Sequence, residues 1–201
     1  GDWSSDVCSS DLIKVQLETP ESILRSVANK VVSTIDLKQG FFNLTIDEES
    51  KKYSAFYVGN EIYTFKRLIQ GVTLAPQVFT YVMSKIFSKD TLSKIKQYHS
   101  NDQLKHLPES FDDILKFYID DIYVFSNSIE AHEVHLLLVL LALRYGGMKF
   151  SATKCDFFAD NVKILGYDVD PKNALLSINK VKGSSIMEWE KPNDLSVLQS
   201  R

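Results

Sequence analysis

The feature that most constrains the fold is a pair of adjacent carboxylates, Asp120 and Asp121, inside the otherwise apolar run of residues 114–126. Two short runs of strand-forming residues, Leu115 to Ile119 and Ile122 to Phe125, flank the pair and predict an antiparallel hairpin with the acids at or beside its turn. Neighbouring anions on an apolar scaffold are unfavourable unless a cation is bound or one carboxyl is protonated. Oxygen ligands of this kind suit Mg²⁺ or Mn²⁺. The simpler alternative is an ordinary polar turn, in which Asp is common.

The composition is typical of a globular protein, with 201 residues, 44% hydrophobic and 24% charged. Its longest apolar run, Leu136 to Leu143, is too short to cross a bilayer, so we predict no membrane partner. The net charge of -3 argues mildly against nucleic-acid binding. Cys8 and Cys155 form no disulfide framework, and Cys155 lies in what reads as a buried strand, so a reducing, intracellular compartment is indicated.

The first part of the chain supplies a possible partner for the acidic pair. Residues 1–12 are rich in Ser and Asp, have no apolar periodicity and resemble a translated sequencing adapter, so we interpret them as a non-native tail. A short amphipathic helix is predicted from Pro20 onward, behind a capping residue. The strand-forming run Val31 to Leu37 follows and ends in a lone carboxylate, Asp36. An acid at the end of a buried strand could meet the hairpin acids in the folded protein.

Further elements follow in order along the middle of the chain. Gly59-Asn60 predicts a turn between the strands Tyr53 to Val58 and Ile62 to Phe65. Pro76 begins a helix whose apolar face carries Phe79 and Met83. The polar segment 88–113 is predicted to be an inserted helix and loop on the surface.

The second half contains one long helix. It is predicted from Ile129 to Tyr145, ends at Gly146-Gly147 and is apolar on all sides, which is typical of a buried helix. His132 and His135 lie on one of its faces, but their spacing is not the zinc pattern H-E-x-x-H and no third ligand is evident. We therefore predict no zinc site there.

Four segments of the chain, taken in order, carry a family resemblance. They are STIDLKQGFFNLTIDEESKKYSAF, LIQGVTLAPQVFTYVM, FYIDDIYVFS and KFSATKCDFFADNVKILGYDV. Together they resemble the polymerase motifs of reverse transcriptases from retroviruses and gypsy-like long-terminal-repeat retrotransposons. The resemblance implies a mixed α/β (α+β) fold at residues 13–170, namely a right-hand polymerase palm with an antiparallel sheet backed by helices. Partial fingers would lie at about 44–75, and residues 171–201 would be the truncated start of the thumb.

The resemblance also implies catalytic roles for the three acids. Asp36 and Asp120 would be the principal ligands of two Mg²⁺ or Mn²⁺ ions, and Asp121 would be the second acid of the hairpin, with a less direct role. In this family such ions catalyse nucleotidyl transfer from a dNTP to the 3′-hydroxyl of a primer. Without the resemblance, Asp36 could equally be a capping or turn acid.

Substrate-binding residues follow from the same motifs. Phe41 would lie against the sugar of the incoming nucleotide and exclude a 2′-hydroxyl by its size, which leaves Phe42 as a core aromatic. Gln39 and Gly40 would offer main-chain amides to the triphosphate, and Gln70 would contact nucleotide and template. Lys154 would donate a proton to pyrophosphate, and the alternative is that it is simply an exposed turn lysine. The segment formed by Leu165, Gly166 and Tyr167 would be the primer grip, which positions the primer strand.

The implied partners are an RNA/DNA template–primer, dNTPs and the rest of a polyprotein with full fingers, thumb and ribonuclease H. The implied location is the cytoplasm, including virus-like particles. Two alternatives remain open: a decayed, inactive copy that keeps the fold, and a non-catalytic nucleic-acid-binding module. The three acids argue against the second alternative, because clustered carboxylates repel phosphate.

Overall fold

The computed structural model describes residues 18–98 and 106–172, together with the backbone of a strand at 175–178. The tail predicted at 1–12 and most of the segment 171–201 lie outside the described residues. The helices are α1 (Pro20–Val27), α2 (Gly40–Asn43), α3 (Glu48–Lys51), α4 (Ala75–Ile86), α5 (Lys89–Tyr98) and α6 (Ile129–Tyr145). The strands are β1 (Val31–Asp36), β2 (Phe56–Val58), β3 (Glu61–Tyr63), β4 (Leu115–Tyr118), β5 (Asp121–Ser126), β6 (Asp156–Ala159), β7 (Val162–Ile164), β8 (Tyr167–Asp170) and β9 (Leu175–Ile178).

The centre of the fold is a sheet with the strand order β4-β5-β1-β6, in which every pair is antiparallel. The hairpin predicted around the two acids is confirmed: β4 and β5 pair so that Tyr118 lies opposite Asp121, with Ile119 and Asp120 in the turn. The strand predicted to end at Asp36 is confirmed as β1, and Asp36 lies directly opposite Asp121. The register of two neighbouring pairs therefore brings the predicted acids to one edge of the sheet.

Each face of this sheet is covered by a different apolar cluster. Ile35, Ile122 and Val124 face a large core shared with α4, α5 and α6. The alternate positions, Val32 and Tyr123 among them, pack against α1, β7 and β8. The alternation follows from the period of a strand, in which successive side chains point to opposite faces. Fully burying one Val, Ile or Leu side chain contributes about 1.5–3 kcal/mol, so both layers stabilise the sheet.

Local signals explain where the helices begin. The Thr19 side chain accepts a hydrogen bond from the Ser22 amide at 3.2 Å and caps α1, which has Pro20 in its first turn. Ser128 likewise accepts from the Ala131 amide at 3.2 Å at the start of α6. The predicted bounds of α6 are confirmed, as is the helix at Pro76, which appears as α4.

Four expectations about burial and strand length need correction. The segment 88–113 does contain a helix, but Leu92 and Ile95 of α5 are buried in the main core, so only its outer side lies on the surface. Helix α6 is not buried on all sides, since Leu137 is 47% exposed. Cys155 is half-buried and follows a 3-10 turn instead of lying in a buried strand. Both strands of the Gly59-Asn60 hairpin are shorter than predicted, because residues 52–54 form a 3-10 turn before the first and the second ends at Tyr63. The differences in burial arise from tertiary packing, which the periodicity of one segment does not report.

Within the part of the chain that the structure describes, none of the helices is both long enough and apolar enough to cross a membrane.

Candidate active site

Three carboxylates, those of Asp36, Asp120 and Asp121, meet at the end of the sheet where β1 ends and the β4–β5 hairpin turns. We call this end of the sheet the acidic edge. Asp36 and Asp121 are cross-strand partners, and Asp120 occupies the turn beside them. The Leu37 amide donates a 3.0 Å hydrogen bond to the Asp120 carbonyl, which fastens the turn to the end of β1. Ile119 has a φ of +54°, a left-handed conformation that lets a two-residue turn match the twist of its strands. The backbone thus holds the three acids together without using their side chains.

The Asp120 carboxylate is short of partners. Its Oδ1 atom is buried and has no hydrogen-bond partner among the described residues. Burial, and then the charges of Asp121 and Asp36, raise the pKa of Asp120 to about 6, while Lys154 acts in the opposite direction. Burial and the charge of Asp36 also raise the pKa of Asp121. The hairpin therefore holds carboxylates whose charged form is disfavoured, as expected where a cation is to bind.

Gly40 makes room for this carboxylate. A Cβ atom at position 40 would lie 2.2 Å from Asp120 Oδ1 and 2.9 Å from Phe79 Cζ, both closer than non-bonded atoms approach. Gly40 is buried at the start of α2, directly after Gln39, whose φ of +51° starts this short helical turn. Gln39 itself is exposed. The two residues predicted to receive the triphosphate therefore lie beside the acidic edge, and Gly40 contacts it directly.

Lys154 also reaches the acidic edge. Its Nζ atom lies 3.7 Å from Asp36 Oδ1, and the side chain is largely exposed. The 3-10 turn that carries it is fastened to β1 by a 2.9 Å hydrogen bond from the Ser151 amide to the Asp36 carbonyl. An exposed pair of this kind contributes little to stability, so Lys154 acts mainly as a nearby positive charge.

The acids fit a divalent ion only in part when taken alone. In residues 18–98, 106–172 and 175–178, no group of three acidic, histidine or cysteine side chains is arranged so that it could hold a metal ion. Mg²⁺, however, usually takes only one or two protein carboxylates and completes its shell with water and substrate phosphates. The buried, unpartnered Oδ1 of Asp120 is an acceptor that such an ion would satisfy. The donor set is therefore compatible with Mg²⁺ shared between protein and substrate.

The two neighbouring phenylalanines have the opposite exposures to those expected. Phe41 is only 5% exposed and stacks on Phe79 of α4 with ring centroids 4.8 Å apart, whereas Phe42 is 42% exposed. The prediction that Phe42 is the core aromatic is therefore wrong. The left-handed residue at Gln39 starts a helical turn that directs Phe41 inward and Phe42 outward. Phe41 packs on Phe79, whose ring is also one of the groups beside Gly40, so it remains close to the acidic edge.

The remaining predicted residues lie on two turns. Gln70 is exposed in the turn before α4. Leu165 and Gly166 form the tight turn between β7 and β8 with φ values of +48° and +91°, and Tyr167 beside them is 38% exposed. Positive φ at both central residues is the geometry of a tight hairpin, for which glycine is well suited. Within the described residues, none of these four forms a hydrogen bond with Asp36, Asp120 or Asp121.

The histidines of α6 form a separate polar cluster, which we call the serine–histidine network. His132, completely buried, shares hydrogen bonds with Ser33 Oγ at 2.7 Å through Nε2 and with Ser126 Oγ at 2.9 Å through Nδ1. His135 is a further member, with Nδ1 2.7 Å from Ser126 Oγ and Nε2 3.0 Å from the His106 carbonyl. The Phe158 amide also joins the network and donates to Ser33 Oγ at 2.9 Å. Every ring nitrogen of the two histidines thus has a protein partner.

Sequence reasoning missed one residue of the site, Tyr123. It is 1% exposed, and its hydroxyl is buried without a hydrogen bond of normal geometry in the described part of the chain. Burial most strongly raises the pKa of Tyr123, followed by the charge of Asp121. The available signal was the strand period, which places Tyr123 on the same face of β5 as Asp121.

Comparisons with known proteins agree with this geometry. Residues 8–169 match the protein family described as reverse transcriptase (RNA-dependent DNA polymerase). The chain is 28% identical to a polyprotein of cassava vein mosaic virus over 174 residues, which cover 85% of the chain and 24% of that polyprotein. It is also 28% identical to the enzymatic polyprotein of cauliflower mosaic virus (strain Strasbourg), covering 70% of the chain and 18% of the polyprotein. The chain thus spans about a quarter or less of these relatives.

A solved structure supports the fold. The foamy viral protease–reverse transcriptase in complex with double-stranded DNA superposes with a TM-score of 0.68 at 25% identity, covering 94% of this chain and 29% of that one. A second structure of the foamy viral enzyme, with an RNA/DNA hybrid, gives a TM-score of 0.63 at 23% identity, covering 92% of this chain and 22% of that chain. The mixed α/β fold with an antiparallel sheet and helices, predicted from the motifs, is confirmed.

Proposed function

The chain belongs to the reverse transcriptase family, and we propose that it is the palm and partial fingers of an RNA-directed DNA polymerase within a retroelement or viral polyprotein. The observation that carries the proposal is the acidic edge, where Asp36 lies opposite Asp121 and Asp120 presents a buried, unpartnered oxygen. A protein that only binds nucleic acid has no use for such acids beside phosphate. A gypsy-like parent element is part of the proposal, and so are the remaining fingers, thumb and ribonuclease H as neighbouring segments.

The proposed catalytic roles belong to the three acids. Asp36 and Asp120 would hold divalent ions together with the phosphates of the substrate, and Asp121 would support them from the adjacent position. When bound there, two Mg²⁺ or Mn²⁺ ions would activate the primer hydroxyl and stabilise the leaving pyrophosphate. Lys154, 3.7 Å from Asp36, is placed to offset negative charge and to donate a proton to pyrophosphate.

The proposed binding roles belong to the surrounding turns. The backbone amides at Gln39 and Gly40 face the triphosphate, and Phe41, held by its stack on Phe79, excludes a 2′-hydroxyl. Gln70 contacts the nucleotide and template. The turn formed by Leu165, Gly166 and Tyr167 receives the primer strand. The proposed substrates are therefore dNTPs and an RNA or DNA template with a DNA primer, and the proposed location of the protein is the cytoplasm, including virus-like particles.

Primer extension on an RNA template tests this proposal. Asp120→Asn removes a ligand at nearly constant volume and should lower the rate about a thousandfold, which corresponds to roughly 4 kcal/mol of transition-state stabilisation. Glu133→Gln, an exposed acid on α6, is the matched control and should retain the wild-type rate. An Asp120→Asn protein that extends the primer at the wild-type rate would contradict the proposal. A wild-type protein that binds template–primer without extending it would instead indicate an inactive copy.

A further inference from the structure

Tyr123 has a hydroxyl whose placement packing does not explain. The residue lies two positions after Asp121 on the same face of β5, and only 1% of it is exposed. Its Oη atom is buried and makes no hydrogen bond of normal geometry with the described residues. Buried tyrosine hydroxyls usually have a partner, and one without a partner lowers stability. Phe125, the next residue on this face, fills the same apolar cluster without a hydroxyl.

Two polar groups act on this hydroxyl from different elements. Burial has the largest effect on the pKa of Tyr123 and raises it, the Asp121 carboxylate raises it further, and the Leu165 backbone lowers it. A backbone group that lowers the pKa of a phenol is an amide facing its oxygen. In return, burial and then the charge of Asp36 raise the pKa of Asp121, and the Tyr123 hydroxyl partly offsets that rise. The geometry agrees with these effects, because the strand period puts Tyr123 on the face of β5 that carries Asp121, and Leu165 packs against the apolar cluster that contains Tyr123.

These two neighbours belong to different functional parts of the site. Asp121 lies opposite Asp36 at the acidic edge. Leu165, with a φ of +48°, is the first residue of the β7–β8 turn. The Tyr123 ring packs in the same apolar cluster as Val162, Ile164 and Val169 of the two strands that this turn joins. Apolar packing therefore joins the tyrosine to the two strands that carry the turn.

We propose that Tyr123 is a positioning residue whose hydroxyl links the β7–β8 turn to the acidic edge: the Leu165 amide donates to Oη, and Oη–H donates to the Asp121 carboxylate. This inference rests on the proposed function, in which the turn receives the primer and Asp121 supports the catalytic acids. Hydrogen bonds in free enzymes are often long and shorten when substrate binds. The long bonds already couple Asp121 to the turn in the free chain, and a seated primer would shorten them and fix Asp121.

The link can be tested in the free chain by measuring hydrogen exchange of the Leu165 amide by NMR. Asp121→Leu removes the acceptor while keeping the branched shape of the side chain, and it should change the exchange rate of Leu165 about fivefold, the factor that corresponds to a hydrogen bond of about 1 kcal/mol. In a Tyr123→Phe background, the same Asp121 substitution should leave that rate unchanged, because the intervening hydroxyl is gone. Phe125→Leu is the control: it alters packing in the same cluster and should preserve the response to Asp121→Leu.

Equal responses in the tyrosine and phenylalanine backgrounds, or no response in either, would overturn the proposal. Asp121→Asn, which keeps the volume and weakens the acceptor, should give a smaller change of the same sign and serves if Asp121→Leu does not fold.

Primer extension separates this proposal from the proposed function. With an active protein, Tyr123→Phe should lower kcat about fivefold with an unchanged KM for dNTP, whereas a merely structural tyrosine would leave kcat unchanged. An inactive wild-type protein that still shows the exchange coupling would contradict the proposed activity of this chain and retain the link.

Discussion

Two polar clusters occupy the same pair of strands, β1 and β5, and differ in how their groups are satisfied. In the serine–histidine network, His132 is fully buried with a partner on each ring nitrogen, Ser33 on β1 and Ser126 on β5. At the other end of these strands, Asp120 keeps a buried oxygen without a partner, next to two further acids. Buried polar groups that are fully hydrogen-bonded hold elements together, whereas unsatisfied ones cost stability. The serine–histidine network is therefore a structural cluster, whereas the acidic edge is arranged for a ligand.

The largest stability effect is expected in the serine–histidine network. His132→Ala would remove one hydrogen-bond partner from each of the two buried serine hydroxyls and open a cavity, so the free energy of unfolding should fall by about 3 kcal/mol. Denaturant unfolding measures this loss. Glu133→Gln, the exposed neighbour on α6, should change stability by less than about 0.5 kcal/mol. A His132→Ala protein as stable as wild type would remove the distinction between the two clusters.

A smaller effect is expected at the acidic edge from Gly40→Ala. The new Cβ would lie 2.2 Å from Asp120 Oδ1, so the carboxylate or the Phe79 ring must move, at a cost of about 2 kcal/mol. Asp120→Ser, which shortens the opposing side chain, should recover part of that loss in a double-mutant cycle. If the two substitutions were simply additive, Asp120 would not be the group that requires glycine.

The smallest effect is a pH dependence of opposite sign in the two clusters. Burial lowers the pKa of His132 from 6.5 to about 4, so the unfolded chain takes up protons first and acidification through this range destabilises the fold. The pKa of Asp120 is raised from 3.8 to about 6, so the folded chain takes up protons first and acidification from about 6 to 4 stabilises it. Each group should change the free energy of unfolding by at most about 1.4 kcal/mol per pH unit, and Asp120 by less, because solvent screens its partly exposed carboxyl.

Unfolding free energies measured between these pKa values separate the two contributions. Asp120→Asn should make stability fall more steeply as the pH is lowered, because the stabilising contribution of the acid is gone. His132→Phe should reverse the slope, so that stability rises on acidification. Unchanged slopes in both variants would show that neither group has the described difference in pKa between the folded and unfolded states.

The sequence predicted those features that depend on local chemistry. The Asp120-Asp121 turn, the acid at the end of β1 and the bounds of α6 all follow from strand-forming runs, turn residues and caps. The relative exposure of Phe41 and Phe42 could not be read in this way, because it depends on the left-handed residue Gln39 and on packing against α4.

Long-range contacts account for the other differences. The buried face of α5 and the partners of His132 come from elements far apart in the chain, since Ser33 and His132 are 99 residues apart. The hydroxyl of Tyr123 meets a turn that belongs to a different sheet. Such contacts appear only when the sheet and its two covering layers are assembled, so residue patterns within single segments could not report them.

The most direct test of the central claim is thermal unfolding with Mg²⁺ and a dNTP, compared with the dNTP alone. If the acidic edge is arranged for a cation shared with substrate, Mg²⁺ should raise the Tm of the wild-type chain. A ligand that binds only the folded state increases the free energy of unfolding, by about 2.7 kcal/mol at a hundredfold excess over its Kd. The rise should disappear in Asp120→Asn and persist in Ser126→Ala, which alters only the serine–histidine network. An equal rise in wild type and Asp120→Asn, or none in wild type, would contradict the claim that these acids form a cation site.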